Sequence, residues 1–105
     1  MSDNFTKYDN AKLRYELIPP SLNEAVAKVL AYGANKYSAN NWQKVDNPDR
    51  YVAALYRHLE AWRAGEISDP ESRISHLAHA ATNIAFLIEL NYQPDTWIES
   101  EYDDV

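Results

Sequence analysis

The stretch Ile74-Ser75-His76-Leu77-Ala78-His79-Ala80-Ala81-Thr82-Asn83-Ile84-Ala85-Phe86-Leu87-Ile88-Glu89-Leu90 decides the fold, because its only charged residue is Glu89. A helix lying on the surface of a soluble protein shows a charged face, so this segment is expected to be enclosed on most sides. With two His, one Asn, one Ser and one Thr in seventeen residues, it is too short and too polar for a membrane span. Ile74, Leu77, Ala81, Ile84 and Ile88 recur at helical spacing and form the expected core face. On the opposite face Asp69, Ser72, His76, His79 and Asn83 follow one another at spacings of three, four, three and four, continuing into Phe86, Leu87 and Leu90. A buried polar group left unpaired costs about 1–3 kcal/mol, so five on one line require partners, a ligand or water. This stripe is the candidate site.

Working outward, prolines and glycines divide the rest of the chain. Ser21-Leu22-Asn23-Glu24 is a capping box directly after Pro19-Pro20. It starts a helix with Leu22, Val26, Val29, Leu30, Gly33 and Tyr37 on one face and a Glu24–Lys28 pair on the other. The helix is expected to fray near Tyr37, before the loop Ser38-Ala39-Asn40-Asn41. Gly33, in mid-helix, costs about 1 kcal/mol against Ala and implies a close helix contact or a close ligand approach. Asn47-Pro48-Asp49 opens a second helix, whose apolar face is Val52, Leu55, Leu59 and Trp62 and whose stop is Gly65. Asp69-Pro70-Glu71 repeats the device and starts the third helix, running to about Leu90.

The expectation is an all-α bundle of three main helices in a single domain over 1–105. Its core spans about 7–91, followed by an acidic C-terminal tail over 92–105 in which Trp97 and Ile98 dock. So short a chain cannot cover the third helix on all sides, and Phe86, Leu87 and Leu90 are expected to be covered by a second copy in a homo-oligomer.

Composition narrows the function. The 105 residues contain no Cys, which excludes thiol catalysis, disulfides and thiolate zinc sites. Two glycines are too few for a Gly-rich phosphate loop. The net charge of −6 lies mostly in the tail (Asp95, Glu99, Glu101, Asp103, Asp104) and argues against duplex nucleic acid as a partner. The first residues, Met-Ser-Asp-Asn, carry no apolar run, so no signal peptide is read there and a cytoplasmic place is expected.

Antiparallel packing through the short Gly65–Ser68 connection would bring His58 to His76 and His79, with Glu66, Asp69 and Glu71 near one end. Neutral imidazoles and carboxylates hold a divalent ion, with His favouring manganese-to-zinc ions over magnesium. Alternatively, imidazolium grips phosphate, or imidazole acts as a general base on water. The plain alternative is a set of hydrogen-bonded histidines inside a helix contact. Lys7, Lys12 and Arg14 are candidate phosphate contacts or simply a solvated entry segment. Lys36, Tyr37, Asn41 and Trp42 end the first helix, where an indole and an amide suit a base. Trp42 is otherwise a lid over the core.

Several blocks in register resemble one family: Lys12-Leu13-Arg14 with Leu17-Ile18-Pro19-Pro20; Gly33-Ala34-Asn35-Lys36-Tyr37 with Asn41-Trp42; and Arg57-His58-Leu59-Glu60-Ala61-Trp62 with Gly65-Glu66. Asp69-Pro70-Glu71-Ser72 and His76-Leu77-Ala78-His79-Ala80 complete the series. Over about residues 7–90 they resemble the small domain, frequent in bacteriophages, called the dATP/dGTP diphosphohydrolase N-terminal domain. That domain is more distantly similar to the all-α MazG-type nucleotide pyrophosphohydrolases, oligomeric bundles that use magnesium bound by Glu-Glu-x-x-Glu and Glu-x-x-Asp motifs. Here the later motif falls on His76-x-x-His79 and the earlier near Arg57, His58 and Glu60, so histidine largely replaces carboxylate.

The resemblance implies a pyrophosphohydrolase that converts purine deoxynucleoside triphosphates to monophosphate and pyrophosphate. His58, His79 and Glu60 would be catalytic. A divalent ion (Mg, Mn or Co) would be held by His58, His76 and His79 with Glu66, Asp69 or Glu71. Lys12, Arg14 and Lys36 would steady the triphosphate, and Tyr37, Asn41, Trp42 and Asn83 would complete the substrate contacts. Two other readings stand beside it: a module that binds a nucleotide without cleaving it, and a purely structural interaction protein.

Overall fold

The computed structural model describes residues 12–92. The expectations for Lys7 and for the acidic tail beyond Tyr92 lie outside the described residues. Three α-helices follow in order, α1 (Pro20–Lys36), α2 (Asp49–Arg63) and α3 (His76–Glu89), with short 3₁₀ turns at Tyr15–Leu17 and Asn41–Lys44. This is the all-α small bundle expected from the sequence. No helix among the described residues is long and apolar enough to cross a membrane.

Helix α1 begins at Pro20 rather than from a Ser21 cap. Pro19 occupies the cap position, and no side chain caps the end. Proline suits the first helical position because its fixed φ is helical and its missing N–H would be unsatisfied there anyway. The Glu24–Lys28 pair forms at 3.3 Å. Helix α2 starts as expected, with the Asp49 N–H donating to Asn47 Oδ1 at 3.0 Å. It ends in a Schellman turn: the N–H of Glu66 donates to Ala61 O and that of Gly65 to Trp62 O. Gly65 has φ 106°, a conformation open mainly to glycine.

The start of α3 differs from the expectation. Residues 69–75 are a tight loop, not the first two turns of a helix. The N–H of Asp69 donates to Ile74 O and that of Arg73 to Asp69 O, Arg73 has a positive φ, and Ser68 pairs with Ser75 in an isolated bridge. Ser75 is the true cap, its Oγ accepting from the N–H groups of Leu77 and Ala78. Two capping signatures six residues apart compete here, and the bridge back to Ser68 selects the second.

Helices α2 and α3 pack antiparallel, with Tyr51 against Phe86 at one end, His58 against His76 at the other, and the Tyr92 hydroxyl on Asp49. Helix α1 crosses α3 on its other flank. The buried described residues, His76, Ala78, His79, Ala80, Thr82 and Asn83, all lie on α3. Its orientation reverses the expected one: the polar stripe is inside, whereas Leu77, Ile84 and Ile88 are exposed, Ile88 to 73%. Trp62 on α2 is exposed as well. Phe86, Leu87 and Leu90 are half-buried within the chain, Phe86 beneath Trp42.

Candidate functional site

The inward stripe of α3 divides into two connected regions. At the N-terminal end the three imidazoles meet. His58 Nδ1 and His76 Nδ1 share a hydrogen bond at 2.8 Å, and His76 Nε2 donates to Glu66 Oε1 at 2.7 Å. The His58 ring lies flat on that of His79, with centroids 4.5 Å apart and planes within 6°. His79 Nε2 shares a 2.6 Å hydrogen bond with Ser72 Oγ and stands 3.9 Å from Asp69 Oδ2. Ser72 Oγ also accepts from the Ile74 N–H. Serine and aspartate thus approach the same nitrogen of His79. A nucleophilic triad needs them on opposite nitrogens, so Ser72 is a structural partner.

Burial, followed by the repulsion of the neighbouring imidazoles, holds His58 below its ordinary pKa. Burial likewise lowers His79, against the pull of Asp69. For Asp69 burial acts to raise the carboxyl, but the hydrogen bonds from Ser72 and the nearby His79 and His58 leave it below its usual value.

The second region is a cleft of about 770 Å³ between α1, the Asn41–Lys44 turn and α3. It brings together Lys36, Tyr37, Asn41, Trp42 and Asn83, with His79 in the same wall. Trp42 stacks on Phe86 at 4.5 Å, and Tyr51 braces the pair through its hydroxyl, which donates to Trp42 O at 2.6 Å. Asn83 Nδ2 donates to the His79 carbonyl at 2.8 Å, which leaves its amide oxygen for another donor. Lys36 Nζ donates to Glu71 Oε2 at 2.8 Å and sits over the Tyr32 and Tyr37 rings. Tyr32 donates to the same oxygen at 2.7 Å. Its hydrogen bond to Lys36, then that to Tyr32, keeps the Glu71 carboxyl below the usual carboxylate range. Gly33 lines the cleft, and a Cβ there would meet nothing within 4 Å. The helix contact that its position suggested is absent, and the open side is the cleft.

Other expected site residues lie elsewhere. Lys12 and Arg14 are exposed and outside the cleft, with Arg14 bonded to Glu16. Glu60 is exposed and paired with Arg63 at 2.6 Å rather than joined to the histidines. Glu71 belongs to Lys36 and Tyr32. Nor do the expected metal ligands fit a divalent ion: among the described residues no three His, Asp or Glu side chains converge on one point. The in-plane lone pairs of two parallel imidazoles run side by side, and both ring nitrogens of His76 are engaged. Tyr51 and Tyr32 were not evident as site residues from the sequence. Their signal is spacing, Tyr51 seven residues before His58 and Tyr32 four before Lys36.

Comparison with known proteins shows the family. The family model described as "dATP/dGTP diphosphohydrolase, N-terminal" matches residues 2–101. The chain belongs to that family. A relative from Salmonella phage PMBT28, named dATP/dGTP diphosphohydrolase, is 37% identical over 84 residues. The match covers 80% of this chain but 29% of the phage protein, so this family member corresponds to a minor part of that relative's length. No solved structure matches significantly.

Proposed function

We propose that the chain binds a purine deoxynucleoside triphosphate in the α1–α3 cleft and hydrolyses it to the monophosphate and pyrophosphate. For a phage-encoded chain, this takes place in the host cytoplasm. The observation that carries the reading is the cleft itself. An aromatic wall of Trp42, Phe86 and Tyr51 suits a purine, while Lys36 and His79 offer a cation and an imidazole to the phosphates. The cavity falls in the size range of small-molecule sites, about 300–1,000 Å³. The family name and the phage relative's name support the same substrate class.

Lys36 is the one fixed cation among the described lining residues, too little for a triphosphate. Since the side chains form no metal cage, the divalent ion is read as part of the substrate, arriving as a metal–nucleotide complex. The engaged state of the imidazoles favours one second reading, in which the cleft holds the nucleotide without cleaving it.

Incubation with each dNTP plus Mg²⁺, Mn²⁺ or Co²⁺, followed by anion-exchange chromatography, separates the two. Hydrolysis yields monophosphate and pyrophosphate from dATP and dGTP and is lost in His79→Ala. Intact nucleotide together with a saturable calorimetric isotherm establishes the binding reading. If both measurements are negative, nucleotide recognition is refuted.

A further inference from the structure

Along α3 the cleft wall presents His79, then Asn83, then Phe86. At a rise of about 1.5 Å per residue, Asn83 stands about 6 Å beyond His79 and about 4.5 Å before Phe86. His79 and Lys36 mark the phosphate end, and Phe86 beneath Trp42 marks the base end. The place between them suits the sugar.

Asn83 is only 8% exposed, yet its amide oxygen is uncommitted. A backbone carbonyl only accepts, so the Asn83 atom 2.8 Å from His79 O is the nitrogen, and the oxygen lies on the other arm of the amide. That oxygen has no partner among the described residues. No buried side-chain nitrogen or oxygen among them lacks one, so Asn83 Oδ1 is reached from the cleft that its side chain lines. An amide oxygen takes a donor and nothing else. The ionised phosphate chain of a deoxynucleotide carries no donor, and its sugar carries one, the 3′-hydroxyl.

We propose that Asn83 is a specificity-determining residue whose Oδ1 accepts the 3′-hydroxyl of the bound deoxynucleotide. The proposal deepens the nucleotide reading of the cleft and rests on it, whether or not the nucleotide is cleaved. The bond from Asn83 Nδ2 to the His79 carbonyl, one turn back on the same helix, fixes the amide in advance, so little side-chain freedom is lost on binding. A nucleotide without that hydroxyl would cover the oxygen and leave it unpaired.

The test is calorimetry of the full chain with Mg²⁺ and the non-hydrolysable α,β-imido analogues of dGTP, of ddGTP (no 3′-hydroxyl) and of dITP (no 2-amino group). Wild type is expected to bind the ddGTP analogue about tenfold more weakly than the dGTP analogue. Asn83→Ser removes the accepting arm, while its hydroxyl can donate to the His79 carbonyl as Thr82 Oγ1 does to Ala78 O at 2.8 Å. This variant is expected to bind the dGTP and ddGTP analogues alike. Equal affinity for the two in wild type overturns the proposal, and that arm needs no variant to fold. A ddGTP penalty that persists in Asn83→Ser gives the hydroxyl to another residue and overturns it as well. So does a dITP penalty that Asn83→Ser abolishes, which assigns the oxygen to the base. A wild type that binds no analogue refutes the nucleotide reading itself, whereas binding without discrimination refutes the Asn83 assignment alone.

Discussion

Replacing Gly33 by alanine should make the protein more stable and a poorer nucleotide binder. Gly33 is inside α1, has no positive φ, and faces open space where a Cβ meets nothing within 4 Å. The substitution therefore gains helix propensity without strain, about 1 kcal/mol. For a domain of this size that raises Tm by about 4–8 °C. The new methyl takes up room in the cleft wall. If the cleft is filled by nucleotide, forcing a methyl into it costs about 1–3 kcal/mol, or about fivefold to 150-fold in Kd. Thermal unfolding and calorimetry with dGTP, each on wild type and Gly33→Ala, measure the two effects. A lower Tm would contradict the open surroundings of Gly33. A higher Tm with unchanged affinity would show that the nucleotide does not occupy this wall.

Three further outcomes are expected. His58 and His79 sit below their ordinary value of 6.5 in the fold, so the unfolded chain binds more protons as pH drops past 6.5. Stability should be full above that value and fall through it, and urea unfolding at pH 7.5 and 5.5 that shows no loss contradicts this. Ser75→Ala removes the cap of α3 and should cost about 1 kcal/mol in the same assay; a neutral effect would mean that the cap at Asp69 can substitute. The exposed stripe of Leu77, Ile84 and Ile88 is the expected seat of a second copy. Light scattering should find an oligomer that Ile84→Lys converts to monomer, and a monomeric wild type contradicts the expectation.

The antiparallel α2–α3 pair was legible because Gly65 stops α2 and the next helix returns along it, although the connection runs to Ser75 rather than ending at Ser68. That geometry alone brought His58 onto His76 and His79. The cluster at Lys36, Tyr37, Asn41 and Trp42 was legible because α1 ends there. What the sequence did not reveal was which face of α3 points inward. Periodicity identifies two faces, but a polar face whose groups bond one another is as buriable as an apolar one, and here His76, His79 and Asn83 do so. The helix start was misplaced at Asp69 because Asp69 and Ser75 both carry capping chemistry, and only the Ser68–Ser75 bridge distinguishes them. Counting donors also did not show that His76 and His79 are bonded to Glu66, His58 and Ser72.

The central claim is that the space between α1 and α3 receives the nucleotide, and an amide-resolved NMR titration of the full chain with dGTP and Mg²⁺ tests it most directly. Saturable shifts at the Trp42 indole N–H, Gly33, Lys36 and His79 are the predicted result. Shifts confined to the exposed Lys12–Glu16 segment, with the cleft residues unmoved, would contradict it.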